Sequence, residues 1–581
     1  MARASGLAFV AVLLAACSSG PADRIAPDGA AAADSRAAGV ADTAAAGTAI
    51  SSDNLAAHLR MLASDEFEGR APATPGEAKT IAWIAEQFAA AGLEPAGDDG
   101  TWLQAVTLAR SEIHGDVATG FTVAGQPMPL VNGDDIALES LHPAPRVELS
   151  GVPLVYAGYG ITAPELGWDD YAGMDVRGKI VVVLVNDPDF ETAPGKFGGR
   201  AMTWYGRWAY KYLEAAKRGA AGVLIVHETE PAAYPWATVR NGRAAPQFDI
   251  VRDDADSHHL RVRGWIQRAT AERLFAAAGL DFDAAKRAAQ QPDFKAHALG
   301  DARFSAAFDV EHARITSHNV AGLLRGASRP DETVALSGHW DSFGIGAPDE
   351  SGDAIMNGAV DNATAVASII EIARALHAGP RPARSVLFLA LTAEESGLLG
   401  ATHYAAHPLR PLATTAAVLN LEMWSPDGPT RDVSSWGQGK VSLERDLVAA
   451  AESLDRTYSP DSNLEAGFFY RADHFAFAQA GVPAITIGPG MDQLEGGVEG
   501  GMAARADYFA RRYHQPDDEF DDSWDMRGPT ADTEVVLRLA RTLAESDRWP
   551  SWDEDSEFRE AREASASARR SFRPRPRVQA R

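Results

Sequence analysis

The sequence predicts an α/β protein in which a mainly parallel central sheet is covered by helices on both faces and is interrupted by an inserted β-rich domain. Three observations carry this. After about residue 315, buried-type apolar runs alternate with helix-period segments; between about 115 and 300, short alternating runs dominate; and acidic or imidazole side chains recur where the later runs end. With 581 residues, 46% of them hydrophobic, the chain has material for about two to four domains.

Taken in order, residues 7–16 (LAFVAVLLAA) form an apolar run behind Arg3. It is too short for a spanning helix, which needs roughly 20 residues, and suits the core of a signal peptide over 1–16. The run ends on Leu14-Ala15-Ala16-Cys17, which resembles a bacterial lipobox with Cys17 as the lipid-modified first residue of the mature chain. Ser18 resembles the outer-membrane sorting pattern. The reading is a cell-envelope protein, lipid-anchored at the outer membrane and facing the periplasm, with no other membrane contact. An ordinary secretory signal that happens to contain a cysteine is the alternative. Residues 17–50, rich in Ala, Gly, Ser and Asp, read as a flexible linker.

Apolar residues at helical spacing predict helices around 52–63 and 76–92, within a first folded part over 51–114. The segment 115–300 carries the strand-like runs Pro153–Tyr159 and Ile180–Val185, a helical stretch from Arg207 to Arg218 and the buried-type run Ala221–Val226. Over 301–548 the runs Thr333–Ser337, Ser385–Leu391, Ala416–Leu421 and Val482–Ile487 read as strands, and Thr364–Leu376 as a helix with Val366, Ile369, Ile370, Ala373 and Leu376 on one face. Residues 549–581, acidic and then Arg-rich, read as a disordered tail, with contact to anionic lipid headgroups as the functional alternative.

Composition excludes several roles. The net charge of −26 opposes nucleic-acid phosphates, so no nucleic-acid partner is expected. A single cysteine rules out an internal disulfide and any Cys-based zinc site, so a bound metal must rest on His, Asp and Glu. Nothing in the sequence specifies an oligomeric state.

In a mainly parallel sheet, ligands bind beyond the carboxyl ends of the strands. There stand His339 and Asp341, Glu394 and Glu395, and Glu422; Asp361 opens a helix and His514 lies in YHQPDD. Each alone has an ordinary explanation: Asp361 as a helix cap, Glu394-Glu395 as a solvated pair, His514 as a surface residue, Asp341 as a turn residue. Clustered, the carboxylates would repel one another unless a cation neutralised them. Two imidazoles with carboxylates and no thiolate suit zinc, or less specifically manganese or cobalt.

SGHWDS at 337–342, NGAVDNATAVA at 357–367, TAEESGLLGA at 392–401, NLEMW at 420–424, RADHFAF at 471–477 and YHQPDD at 513–518 resemble the ordered motifs of the dizinc aminopeptidase family M28. The resemblance covers 52–112 and 315–545. LVYAGYGIT, DVRGKIVVVLVN and AAKRGAAGVLIVH, between 154 and 227, resemble a protease-associated domain inserted into it. The aromatic stretch 204–208 (WYGRW) reads as core or domain interface.

The resemblance implies two Zn2+ ions per chain, with Mn2+ or Co2+ as substitutes. Asp361 bridges them, His339 and Glu422 complete one site, and Glu395 and His514 complete the other. The family usually has Asp where this chain has Glu422. Glu394 is implied as the general base acting on a metal-bridging hydroxide, Tyr513 as the donor to the tetrahedral oxyanion, and Arg471 as a substrate-binding residue. Asp341 is expected to hold the other imidazole nitrogen of His339, and Asp473 and His474 to support their loop. The implied activity is removal of N-terminal residues from peptides. Alternatives are a carboxypeptidase or dipeptidase on the same scaffold, a glutaminyl cyclase, or a catalytically silent, receptor-like binding protein. The insert is expected to narrow access to the metals and favour short peptides, and the acidic, Gly-rich loop 343–356 either borders the site or is a solvated excursion.

Overall fold

The structure, a computed structural model, describes residues 49–571 apart from 193, 194, 253, 347, 350, 438, 439 and 555. The expected signal peptide, Cys17 and nearly all of the expected linker lie outside the described residues, as does 572–581.

Packing begins at Ile50, which is buried in the main core. α1 (Ser52–Leu62) follows, with the Ser51 hydroxyl accepting from the Asn54 amide and Leu55, Leu59 and Leu62 turned inward. α2 (Pro75–Ala90) starts the same way, with Thr74 as its cap and proline in its first turn, where no amide donor is needed.

The strands that follow are β1 (Leu103–Val123), β2 (Arg146–Tyr156), β3 (Ile180–Leu184), then α3 (Trp208–Lys217), β4 (Gly222–His227), β5 (Gln247–Ile250), β6 (Val262–Gln267), β7 (His297–Leu324) and β8 (Arg329–His339). Beyond these come α4 (Thr364–Ala378), β9 (Arg384–Leu391), β10 (Thr415–Leu421), β11 (Asp432–Ser435), β12 (Ala484–Pro489), α5 (Gly497–Arg511) and α6 (Arg527–Glu545). One continuous sheet runs β11-β12-β10-β8-β9-β7-β2-β3-β4-β6. β12, β10, β8 and β9 are mutually parallel, while β7 and β11 run antiparallel at the two sides of that group.

Both faces of the parallel part are covered, and side-chain alternation assigns each face its helices. Val334, Leu336, Val386 and Phe388 point into the core that holds α1, α4 and α6. Ala335, Leu387 and Leu389 point the other way, onto Tyr404 and Phe477. Every residue of β9 and β10 is buried, so each large aliphatic side chain there contributes about 1.5–3 kcal/mol of transfer energy.

The expected domain limits at 114/115 and 300/301 fall inside β1 and β7. These two strands pair antiparallel from Leu103↔Val320 to Thr122↔Arg303, so peptidase half and insert share one two-stranded ribbon. The insert contains more than strands: β2, β3, β4 and β6 are parallel neighbours and α3 packs with them, which makes it a small α/β unit with its own core.

In its described part, up to residue 571, the tail differs from expectation. Trp552 and Phe558 are buried in the main core, the Trp552 indole donates to the Gly481 carbonyl at 3.1 Å, and Phe558 stacks on Phe469 at 5.9 Å. Two short helices, Arg559–Ala564 and Ala566–Ser571, follow. The reason is aromatic spacing: two large rings six residues apart outweigh the polar composition around them.

Candidate active site

β8 ends on His339, β9 on Leu391 just before Thr392-Ala393-Glu394-Glu395, and β10 on Leu421 just before Glu422. The parallel sheet therefore delivers these groups to one edge. Asp361 lies in the short turn Ala359–Ala363 ahead of α4, and His514 lies three residues past α5. Ala393 and His514 both adopt left-handed backbone, with φ of 52° and 57°. Each costs on the order of 1 kcal/mol for a residue with a Cβ, the kind of strain that accumulates where side chains must converge.

Asp361 joins the two imidazoles. Its Oδ1 stands 3.2 Å from His339 Nε2 and its Oδ2 3.3 Å from His514 Nε2. Glu422 Oε2 is 3.6 Å and Glu394 Oε2 4.0 Å from His339 Nε2, and Glu395 Oε2 is 3.3 Å from His514 Nε2. Among the described residues, His339–Asp361–Glu395 and His339–Glu394–Glu422 each bring one ligand atom per residue within 4.8 Å of one another. All the expected metal-site residues thus meet around Asp361.

The electrostatics fit a cation. Burial pushes the carboxyls of Glu394 and Glu395 well above their ordinary range, with neighbouring carboxylates adding to it, and raises Glu422 as well. Burial presses upward on Asp361 too, but His339 and His514 overcome it and hold that carboxyl low. Glu395 Oε1 and His514 Nε2 are buried without a hydrogen-bond partner. Orphaned acceptors beside packed carboxylates are costly unless a cation satisfies them, and donors of this mixture suit zinc. The residues present fit such an ion.

Asp341 faces the other imidazole nitrogen of His339, with its backbone nearer than its side chain. Its backbone carbonyl, at 3.1 Å, faces His339 Nδ1, while its carboxylate is 3.6 Å away. The carboxylate instead accepts from the Glu394 amide at 3.0 Å and the Glu395 amide at 3.3 Å, bracing the loop that carries both glutamates. Those amides, past the end of the strand, need an acceptor, whereas the imidazole is already served by the carbonyl.

Glu422 is pinned in its longer reach: Asn420 donates to Oε1 at 3.0 Å and Asn362 to Oε2 at 2.5 Å. Tyr513 stacks on His514 at 3.7 Å and accepts from Arg471 Nη2 at 3.3 Å. Its own hydroxyl proton is left to donate. Phe343 lies 4.5 Å from the His514 ring and is 41% exposed, so the 343–356 loop borders the site.

Four further residues went unassigned in the sequence. Arg70, fully buried, donates to the carbonyls of Leu62, Trp340, Asn357 and Gly358. Asp518, the last residue of YHQPDD, accepts from the amides of Val360 and Asp361 at 3.0 and 3.1 Å. Asn362, the neighbour of Asp361, bonds Glu422 as above. Arg207 comes from the insert; burial lowers its pKa to about 10, and it feels the charge of Arg471 and the hydroxyl of Tyr513. Its Nε is buried without a partner. Membership of a quoted motif could have flagged Asp518 and Asn362; nothing local marks Arg70 or Arg207. The stretch around Arg207 is a domain interface as expected, since Trp204 packs 5.0 Å from Phe475 and 6.2 Å from Tyr470. Asp473 is fully buried, both its carboxylate oxygens lack a hydrogen-bond partner, and burial holds it well above the carboxylate range beside Glu422 and His339.

Residues 319–540 match peptidase family M28. Residues 150–274 match the PA domain, which covers most of the insert. A probable zinc metalloprotease of Pyrenophora teres f. teres is 38% identical over 104 residues, 18% of this chain and 22% of that one. The aminopeptidase NAALADL1 of Mus musculus is 34% identical over 184 residues, 30% of this chain and 23% of that one. The aligned parts thus span under a quarter of either relative's length. The aminopeptidase from Aneurinibacillus sp. strain AM-1 shares the fold, with a TM-score of 0.51 and 20% identity over 86% of this chain and 95% of that one.

Proposed function

We propose that the protein is a dizinc exopeptidase that removes N-terminal residues from peptides. The observation that carries this is Asp361, whose two oxygens each face a different imidazole at 3.2 and 3.3 Å. His339 and Glu422 would hold one ion and Glu395 and His514 the other. Bound there, zinc would supply Lewis-acid polarisation of a peptide carbonyl and a lowered water pKa.

The chain's own groups do the rest. Glu394, its proton affinity raised by burial, takes a proton from the attacking water and returns it to the leaving amine nitrogen. Tyr513, oriented by Arg471, donates its hydroxyl proton toward the developing oxyanion, a contribution of about 3 kcal/mol for donors of this kind. Asp341 fixes the backbone of Glu394 while this happens. Zinc content and turnover on free and N-acetylated dipeptide amides, before and after chelation, test the reading. Near two zinc per chain and chelator-sensitive cleavage that needs a free amine are expected. Turnover unchanged in Glu394→Gln would rule the mechanism out.

A second reading, dipeptidase or carboxypeptidase, is favoured by Arg471, which bonds Tyr513, and by Arg207, a buried cation close enough to feel the charge of Arg471. Guanidinium groups without a carboxylate partner suit the terminal carboxylate of a short substrate. Preference for free-acid over amidated dipeptides, with KM rising selectively for free acids in Arg207→Met, would support it. Lipid anchoring at Cys17 remains part of the proposal, and labelling with radioactive palmitate that survives Cys17→Ser would remove it.

A further inference from the structure

A second cluster of ligand-type side chains lies in the insert, away from the groups described so far. Asp249, on β5, is 8% exposed, and its Oδ2 stands 3.1 Å from His259 Nε2. His258 precedes His259, with the two rings perpendicular at 5.0 Å. One ligand atom each from Asp249, His258 and His259 lie within 4.8 Å of one another, the same closeness as in the two groups around Asp361. Two donors that share a zinc ion at about 2.1 Å in tetrahedral geometry stand about 3.4 Å apart, close to the Asp249–His259 separation.

From this geometry we infer a third metal site: Asp249, His258 and His259 bind a divalent transition-metal cation of the zinc class. Two imidazoles and one carboxylate are a common three-protein-ligand set for zinc, with the fourth position left to water. Arg252 donates to Asp249 Oδ2 at 2.9 Å and to Oδ1 at 3.4 Å. It thereby orients the carboxylate, as outer partners of metal ligands commonly do, while competing with the cation for its charge.

The position gives such an ion a purpose. β5 pairs with β1, and Phe248 and Ile250, on either side of Asp249, pack against the small cluster formed by Val106, Leu108, Ala393 and Leu399. Ala393 immediately precedes Glu394. A cation that ties the segment 255–259 back to Asp249 would stiffen the strand supporting the catalytic loop from the insert side.

The test counts zinc by equilibrium dialysis and mass spectrometry on the full chain, comparing wild type with His258→Gln/His259→Gln. A difference of one equivalent is expected, whatever number the active site holds, and that difference should persist in a His339→Ala/His514→Ala background. Equal zinc in the paired proteins would overturn the site. Because the double variant could misfold, amide exchange over 252–259 is followed in the His339→Ala/His514→Ala chain with and without zinc. Slowing of at least tenfold on zinc addition is expected, and unchanged exchange would also overturn the inference.

Discussion

Arg70 and Asp518 grip opposite sides of one turn: the guanidinium donates to the carbonyls of Asn357 and Gly358, and the carboxylate accepts from the amides of Val360 and Asp361. Arg70 also reaches the Trp340 carbonyl, next to His339, at 2.8 Å. One buried cation therefore couples the backbone beside His339 to the turn that presents Asp361. Burial lowers its pKa to about 10, which still leaves it charged at neutral pH.

Arg70→Met leaves four buried carbonyls short of a donor, and each such loss costs about 1–3 kcal/mol. The expected outcome is a loss of several kcal/mol in urea unfolding of the metal-free protein and at least tenfold weaker zinc binding by chelator competition. Arg70→Lys, which keeps the charge without the planar fork, should recover only part of either. Full zinc affinity in Arg70→Met would show that the turn holds its shape without the clamp.

A pH effect follows from His474. Burial lowers its pKa to about 3, and its Nδ1 is bonded to the Thr486 hydroxyl at 2.6 Å. An unfolded histidine titrates near 6.5, so between these values the unfolded chain binds the extra proton. The contribution is fully present above about pH 6.5 and is lost as pH falls toward 3, amounting to a few kcal/mol. Replacing the imidazole with Gln, which cannot titrate, should flatten the stability profile over that window. Parallel wild-type and His474→Gln profiles between pH 4 and 6.5, read by denaturant unfolding, would contradict it.

The parts of this molecule legible in its sequence are those with local signatures. β9 and β10 are continuous apolar runs, α4 has its apolar stripe, and Glu394, Glu395 and Glu422 sit where such strands end. What escaped depends on distance along the chain. Arg70 meets Asn357 across 287 positions, and Arg207, which belongs to the insert, is buried where it feels the charge of Arg471, so neither leaves a pattern in its own neighbourhood. The tail was misread because composition averaged away Trp552 and Phe558, whose burial depends on partners such as Phe469 and Gly481. The sequence sets Asp341 against the second imidazole nitrogen of His339, but that its carbonyl is nearer than its carboxylate is not legible there, because a backbone carbonyl has no letter in a sequence.

Glu422 provides the last prediction. Its carboxylate is held on both oxygens by the side-chain amides of Asn420 and Asn362. Shortening the arm by one methylene in Glu422→Asp withdraws the oxygens by about 1.3 Å, given ordinary carbon–carbon geometry, while the two amides stay where their strands put them. An aspartate at this position should therefore weaken the site in this chain. It costs Asn362 one of the two acceptors of its side-chain amide, the other being the Leu421 carbonyl at 3.1 Å, and lengthens the 3.6 Å gap to His339 Nε2. Zinc titration should show at least tenfold weaker binding of one equivalent. Asn362→Ser combined with Glu422→Asp should recover more of it than Glu422→Asp alone, because the smaller side chain leaves the shortened carboxylate room to resettle. If Glu422→Asp binds zinc as tightly as the wild type, the pinning of Glu422 by Asn420 and Asn362 has no bearing on the metal.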